Sequence, residues 1–368
     1  MIKNKFILKT YFPNLNALRC FAAFLVIISH IELYKSFFNL PNASDIPFFQ
    51  IIGKLGVVLF FVLSGFLITT LLLKEKDKQG KISNKDFYMR RALRIWPVYF
   101  LILFLGFFIF PNFQFWHVPT TIFPDINDHF WYKLLLYIFI LPNLSVAVFK
   151  QVANVSQSWS LGTEEQFYLF WPLFIDKCRS FLIPGMITIV GAYLVVKIIL
   201  IKMSISYPMW GYLVKFWYYF NIDCMAIGGL FAVIYYNNHD KILTFLFNRI
   251  LFLFVIIVTF FCLGMGVNFG FIHYEVYAFL FGVIILNLAC NEKYQNLLEY
   301  KALTYLGNIS YGLYMYHLIA LQIGIKTGIY FKSNWLIYVV TIFLTIIFSS
   351  ISYFYYEKYF LKFKRSHI

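Results

Sequence analysis

Charged residues are scarce in this chain: Asp, Glu, Lys and Arg make up 13% of its 368 residues, about half the share of an ordinary globular protein. No soluble architecture of this length can be surfaced with so few charges, so a water-soluble fold is excluded. Long polar segments are also missing. The longest, Lys74 to Arg91, is too short to fold alone, and no repeat, low-complexity linker or separate soluble domain interrupts the chain. Cysteine is sparse and odd in number. Cys20, Cys178, Cys224, Cys262 and Cys290 are scattered, mostly through apolar segments and without CxxC or metal-ligand spacing. They read as small buried hydrophobes, and no metal site is expected. HExxH, GxSxG and P-loop patterns do not occur, which removes the metalloprotease, hydrolase-elbow and NTPase readings. A cleavable leader is not visible either: Met1 to Thr10 is basic, and the first apolar run carries no small-residue cleavage site, so the first helix is expected to stay as an anchor.

What the chain has instead is apolar bulk: 61% hydrophobic and 22% aromatic residues. Windows long enough to cross a bilayer fall near 16–34, 52–73, 95–111, 160–176, 182–201, 216–236, 250–267, 271–289, 303–323 and 335–357. The expectation is an all-α integral membrane protein of about ten transmembrane helices, a single transmembrane domain over residues 1–368. Residues 131–149 are apolar but broken by Pro142-Asn143, and are read as an additional re-entrant or interfacial helix. With the N-terminus cytoplasmic, twenty-one of the 31 Lys and Arg face inward and eight outward, leaving Arg19 and Lys197 within spans. Both termini are therefore expected in the cytoplasm. The net charge of +15 is then mostly topological; it requires no nucleic acid and suits anionic membrane lipids or an anionic cytoplasmic ligand.

Ionisable groups inside hydrocarbon are costly and mark sites. Arg19 and His30 share the first apolar segment, and eleven residues of helix separate them by about 16 Å, roughly half a bilayer. Arg91 and Arg94 stand one helical turn apart, a spacing that lets two planar donors clamp phosphates. Ser160, Glu164 and Tyr168 recur every four residues and put hydroxyl, carboxylate and phenol on one stripe beginning beside Trp159, with Glu165 turned about 100° away. Ser64-Gly65 permits close approach of a backbone or a thin ligand. Asp223 is an intramembrane acid that could also pair with Lys215 or Lys197. His317 reads as a hydrogen-bonded core histidine or a second catalyst. Trp116, His117, His129 and Trp131 fit either an interfacial belt or a sugar surface.

Together these stretches resemble the acyltransferase-3 family of integral-membrane acyltransferases. The likeness is carried by Leu15-Asn-Ala-Leu-Arg19 running to His30, GVVLFFVLSGFLIT from Gly56, FYMRRALRIWPVY from Phe87, WSLGTEEQFYLFWPL from Trp159, LGNISYGLYMYHL from Leu306, and Ser352 to Phe360. Departures are Asn16-Ala17 where Asp-Gly is usual, Val58 where an acidic residue is usual, and Tyr359 after Glu357-Lys358. The resemblance implies about ten helices in a bacterial cytoplasmic membrane. It implies transfer of an acyl group, usually acetyl from acetyl-CoA as donor substrate, to a hydroxyl of a glycan or lipid-linked sugar, with no resident cofactor. Carried over, His30 is the catalytic histidine, Arg19 its motif's basic partner, Arg91 and Arg94 the RxxR pair on the donor, and Glu164 the acid. His30 would act as general base or carry the acyl group briefly, with Glu164 orienting its ring. Ser64, Trp159, Tyr168, Asp223 and His317 are the candidate pocket residues. Some relatives carry a further esterase-like domain, for which 368 residues leave no room. A transporter or lipid-linked sugar flippase would also need an internal polar path, but matching halves with broken helices are not found; a non-catalytic scaffold would tolerate substitution at His30, Arg91 and Glu164.

Overall fold

In the computed structural model, residues 11–119, 123 and 125–363 are described. The orientation count above also used Lys3, Lys5, Lys9, Lys364 and Arg365, which lie outside the described residues. Among those described, all regular structure is helical. The helices are α1 (Leu15–Phe37), α2 (Pro47–Gln79), α3 (Asn84–Phe104), α4 (Phe130–Ile138), α5 (Pro142–Phe149), α6 (Trp159–Lys177), α7 (Leu182–Ser206), α8 (Gly211–Tyr219), α9 (Ile222–Tyr236), α10 (Asp240–Leu246), α11 (Arg249–Gly264), α12 (His273–Cys290), α13 (Lys301–Asn308), α14 (Ser310–Tyr330), α15 (Asn334–Ile351) and α16 (Lys358–Phe363).

Seven of the described helices or helix runs are long and apolar enough to cross a membrane, or up to eight if the α10–α11 pair, bent by 55°, is one span. That is fewer than the ten expected, and the shortfall has a physical cause. The windows at 160–176 and 303–323 correspond to α6 and to α13 with α14. Helices α6 and α14 are 19 and 21 residues long, but they carry Glu164, Glu165, His317 and Gln322, which dilute their apolar character. The apolar run at 131–149 is two helices of nine and eight residues, each far short of the ~20 residues that a crossing takes. Ile140 between them has a left-handed φ of 58°, and Pro142 begins the second. The run is thus broken where the proline predicted, into two pieces each too short to cross.

Two local features place the site. Asn14, itself left-handed, is fully buried, and its amide donates to the carbonyls of Leu288 and Tyr294 at 2.8 and 2.7 Å while its oxygen accepts from Leu298 N–H at 2.8 Å. The first turn of α1, and with it Arg19, is thereby tied to the segment between α12 and α13. Second, α2 and α9 cross in near contact: a Cβ on Gly65 would lie 1.9 Å from the Met225 carbonyl oxygen, and one on Gly228 would lie 2.1 Å from that of Val62. Small residues let membrane helices approach in this way. The same device recurs between α14 and α15, where Gly324 meets Thr341 and Gly328 meets Ile337.

Candidate active site

A cavity of about 110 Å³ opens between α1, α2, α3, α6 and α14, and Arg19, Arg91 and Arg94 all line it with Glu164, Tyr168 and Ser64. α3 starts at the Ser83 cap, whose hydroxyl accepts from Asp86 N–H, and one turn then aligns Arg91 and Arg94 on the cavity wall. Among the described residues none of the three arginines has a carboxylate partner within 4.0 Å, whereas neighbouring Arg90 pairs with Glu75 at 2.9 Å and Arg179 with Asp77 at 3.1 Å. Arg19 donates to Asn16 Oδ1 at 3.1 Å. Arg91 is held by ring faces instead, its guanidinium 5.7 and 5.9 Å from the centroids of Phe87 and Tyr168, and its buried Nε has no hydrogen-bond partner. Three guanidiniums against one carboxylate leave a site short of negative charge.

Glu164 belongs to this cluster. Its Oε2 accepts from the Tyr168 hydroxyl at 3.0 Å, and Tyr168 accepts in turn from Ser64 at 2.7 Å. The chemistry of such a cavity suits a multiply charged anion, which guanidinium groups can contact in bidentate fashion. Inorganic pyrophosphate is therefore expected to raise the unfolding temperature of the purified chain in detergent, and Arg91→Ala with Arg94→Ala to abolish the rise. Thermal unfolding followed by tryptophan fluorescence checks this, and an equal rise in the double variant counts against the anion pocket.

His30 has a different partner. Its Nδ1 lies 3.1 Å from Nε2 of His317, with the rings 4.9 Å apart, and Nδ1 of His317 lies 2.6 Å from the backbone carbonyl of Tyr314. A carbonyl only accepts, so His317 Nδ1 carries the proton. The neutral ring then presents Nε2 as an acceptor, and His30 Nδ1–H donates to it. The remaining nitrogen, His30 Nε2, is left with a free lone pair. His317 is fully buried while His30 is only partly so, and neither ring lines the arginine cavity itself. The relay adjoins the arginine cavity through Tyr314, which lines the cavity and lies 5.9 Å from the His317 ring, and through Phe60, 6.0 Å from Tyr314.

Of the ten residues carried forward as catalytic, donor-binding or pocket candidates, Arg19, Arg91, Arg94, Glu164, Ser64 and Tyr168 converge on one cavity, which Ser160 of the same stripe also lines, and His30 and His317 form the relay beside it. The other two lie elsewhere. Trp159 packs behind the cavity against Phe61 and Tyr219, at 6.3 and 5.0 Å. Asp223 is fully buried near Glu275 and Lys197, and the lysine there pairs with Glu275 at 2.9 Å; Asp223 does not line the arginine cavity. The orienting contact expected of Glu164 on His30 is made by His317 instead. Tyr311, Tyr314 and Phe60 line the cavity without having been singled out. The first two had a signal, since Tyr311, Tyr314 and His317 recur every third residue on one face of α14.

The fold and this cavity define a polytopic membrane protein with a buried arginine-lined cavity beside an imidazole pair. The chain belongs to the acyltransferase family, whose model for an acyltransferase domain matches residues 12–354. It is 33% identical to the peptidoglycan O-acetyltransferase OatA of Listeria monocytogenes over 45% of this chain and 24% of that protein. It is 32% identical to a Bacillus subtilis protein provisionally named a peptidoglycan O-acetyltransferase, over the same shares of 45% and 24%. It is also 27% identical to a Staphylococcus aureus protein provisionally named an O-acetyltransferase, over 96% of this chain and 58% of that one. The chain thus spans less than two thirds of the length of each of these relatives. No solved structure matches it.

Proposed function

We propose that this chain is a membrane O-acetyltransferase, one transmembrane domain over residues 1–368, that moves an acetyl group from cytoplasmic acetyl-CoA to a hydroxyl of a cell-envelope glycan. The carrying observation is the adjacency of three arginines that form no ion pair among the described residues to a histidine whose Nε2 has no hydrogen-bond partner among them. The arginines suit the phosphates of a coenzyme A ester; the basic-residue bias puts them at the cytoplasmic end, with both termini on that side and, for a bacterial chain, in the cytoplasmic membrane. The acyl end then reaches His30 past Phe60 and Tyr314. His30 Nε2 takes the proton of the acceptor hydroxyl, and the oxygen attacks the thioester carbonyl. Collapse of the tetrahedral intermediate breaks the carbon–sulfur bond, and the proton on Nε2 passes to the departing thiolate. His317 accepts from Nδ1–H throughout, holding the ring's tautomer and spreading the charge of the imidazolium. Glu164 is proposed to balance the arginine cluster and fix Tyr168.

The names of the relatives favour peptidoglycan as the glycan class. Mass spectrometry of envelope glycans from cells with and without the chain tests the reading. One alkali-labile acetyl increment that depends on the chain is expected; identical glycans in both would overturn it.

A further inference from the structure

A second cavity, of about 310 Å³, lies between the segment after α3, the start of α4 and residues 152–154. Its size falls at the lower end of small-molecule sites. Trp116 forms one wall, packed against Phe110 with ring centroids 4.3 Å apart and the planes tilted by 31°. Two buried polar residues with unused hydrogen-bonding capacity line it. Lys133 is 1% exposed, and its ammonium donates to the Asp125 backbone carbonyl at 3.3 Å, which engages one of its three N–H bonds. Asn154 is 2% exposed and left-handed at φ 62°; its NH₂ donates to the Trp116 carbonyl at 3.3 Å, while its Oδ1 has no partner. A buried amide oxygen without a hydrogen bond costs about 1–3 kcal/mol, which a ligand hydroxyl would recover.

The cavity is joined to the histidine relay by packing. Val118 and Phe123 line it and also pack in one cluster with Ile27, Ile31 and Tyr34 of α1, the residues that flank His30 along the helix. Its charged lining groups, Lys133 and Asp125, cancel. An aromatic wall, spare N–H donors, an unfilled amide acceptor and no net charge together suit a neutral polyhydroxylated ring rather than a phosphate. We infer that this cavity is the acceptor subsite and takes a neutral pyranose unit of the glycan. The assignment of the ligand as acceptor rests on the function proposed above.

Protection from labelling tests the cavity without catalysis. Ala153 lines it, and in the full-length Ala153→Cys chain in nanodiscs the rate of reaction with a polar maleimide is followed on the peptide carrying the substitution, with and without the neutral trimer of N-acetylglucosamine. The trimer is expected to slow labelling at least fivefold, and Lys133→Met or Trp116→Leu in the same background to remove that protection. An unchanged labelling rate with the trimer, or undiminished protection in both variants, would overturn the inference. Protection without any acetyl ester on the trimer would leave the cavity as a sugar site and sink the proposed reaction; acetyl transfer without protection would do the reverse.

Discussion

His30→Ala lowers acetyl transfer by about 10³- to 10⁴-fold, the upper range for loss of a positioned general base, while the purified protein keeps its elution profile and unfolding temperature. The ring is only partly buried, so its loss leaves little unfilled core. His317 separates the relay from a simple packing role. His317→Leu removes the side-chain acceptor for His30 Nδ1–H and leaves the ring only its backbone hydrogen bond with Val26; kcat falls about 10²-fold with the KM for acetyl-CoA held, because the arginine cavity is untouched. His317→Gln, whose amide oxygen can still accept from His30, recovers a substantial part of that loss. A histidine needed only to fill space would rank the two variants by shape, with leucine no worse than glutamine. Steady-state kinetics on the three variants distinguish these orders.

Gly65→Val abolishes the folded protein, and Gly228→Val does the same. Each added Cβ would meet backbone at about 2 Å, 1.9 Å for Met225 and 2.1 Å for Val62, and backbone cannot turn aside as a side chain can. The helices must separate, with loss of packing along their whole crossing, and the cost exceeds the ~1–3 kcal/mol of ordinary overpacking. Monodisperse yield in detergent, measured by size-exclusion chromatography, is expected to fall more than tenfold. Gly191→Ala and Gly264→Ala serve as controls, since a Cβ at either position meets nothing within 4 Å. Equal yields for all four variants would show that the α2–α9 crossing is not the support of the site.

Ser64 shows why one motif divides between these two predictions. Read along the chain, Ser64-Gly65 could serve either packing or a ligand. In the fold the residues part company: Gly65 receives the α9 backbone, and Ser64 turns into the arginine cavity to reach Tyr168 at 2.7 Å. Local spacing was enough to foresee the Arg91–Arg94 wall and the Glu164–Tyr168 contact, because one helical turn decides both. The partner of His30 was not foreseeable, since it lies 287 residues away and depends on how α1 and α14 pack. Asp223 was one of two buried acids competing for Lys197, and Glu275, on a different helix, holds the ion pair at 2.9 Å. The tryptophans of the loop were equally ambiguous by composition. Trp116 enters a cavity, whereas Trp131 is 71% exposed, as an interfacial belt residue would be. The overcount of spans has the same origin: Glu164 on α6 and His317 on α14 are polar because of the site they belong to, and only the assembled bundle shows where they are directed.

Transfer across a sealed bilayer tests the central claim most directly. Proteoliposomes with the arginine end of the chain facing the bath receive acetyl-labelled acetyl-CoA outside and enclose a soluble glycan acceptor. The account predicts labelled ester on the enclosed glycan with all coenzyme A remaining in the bath, and none with His30→Ala. Ester formation only when donor and acceptor share one compartment, or coenzyme A found inside with the acetyl group, would contradict it.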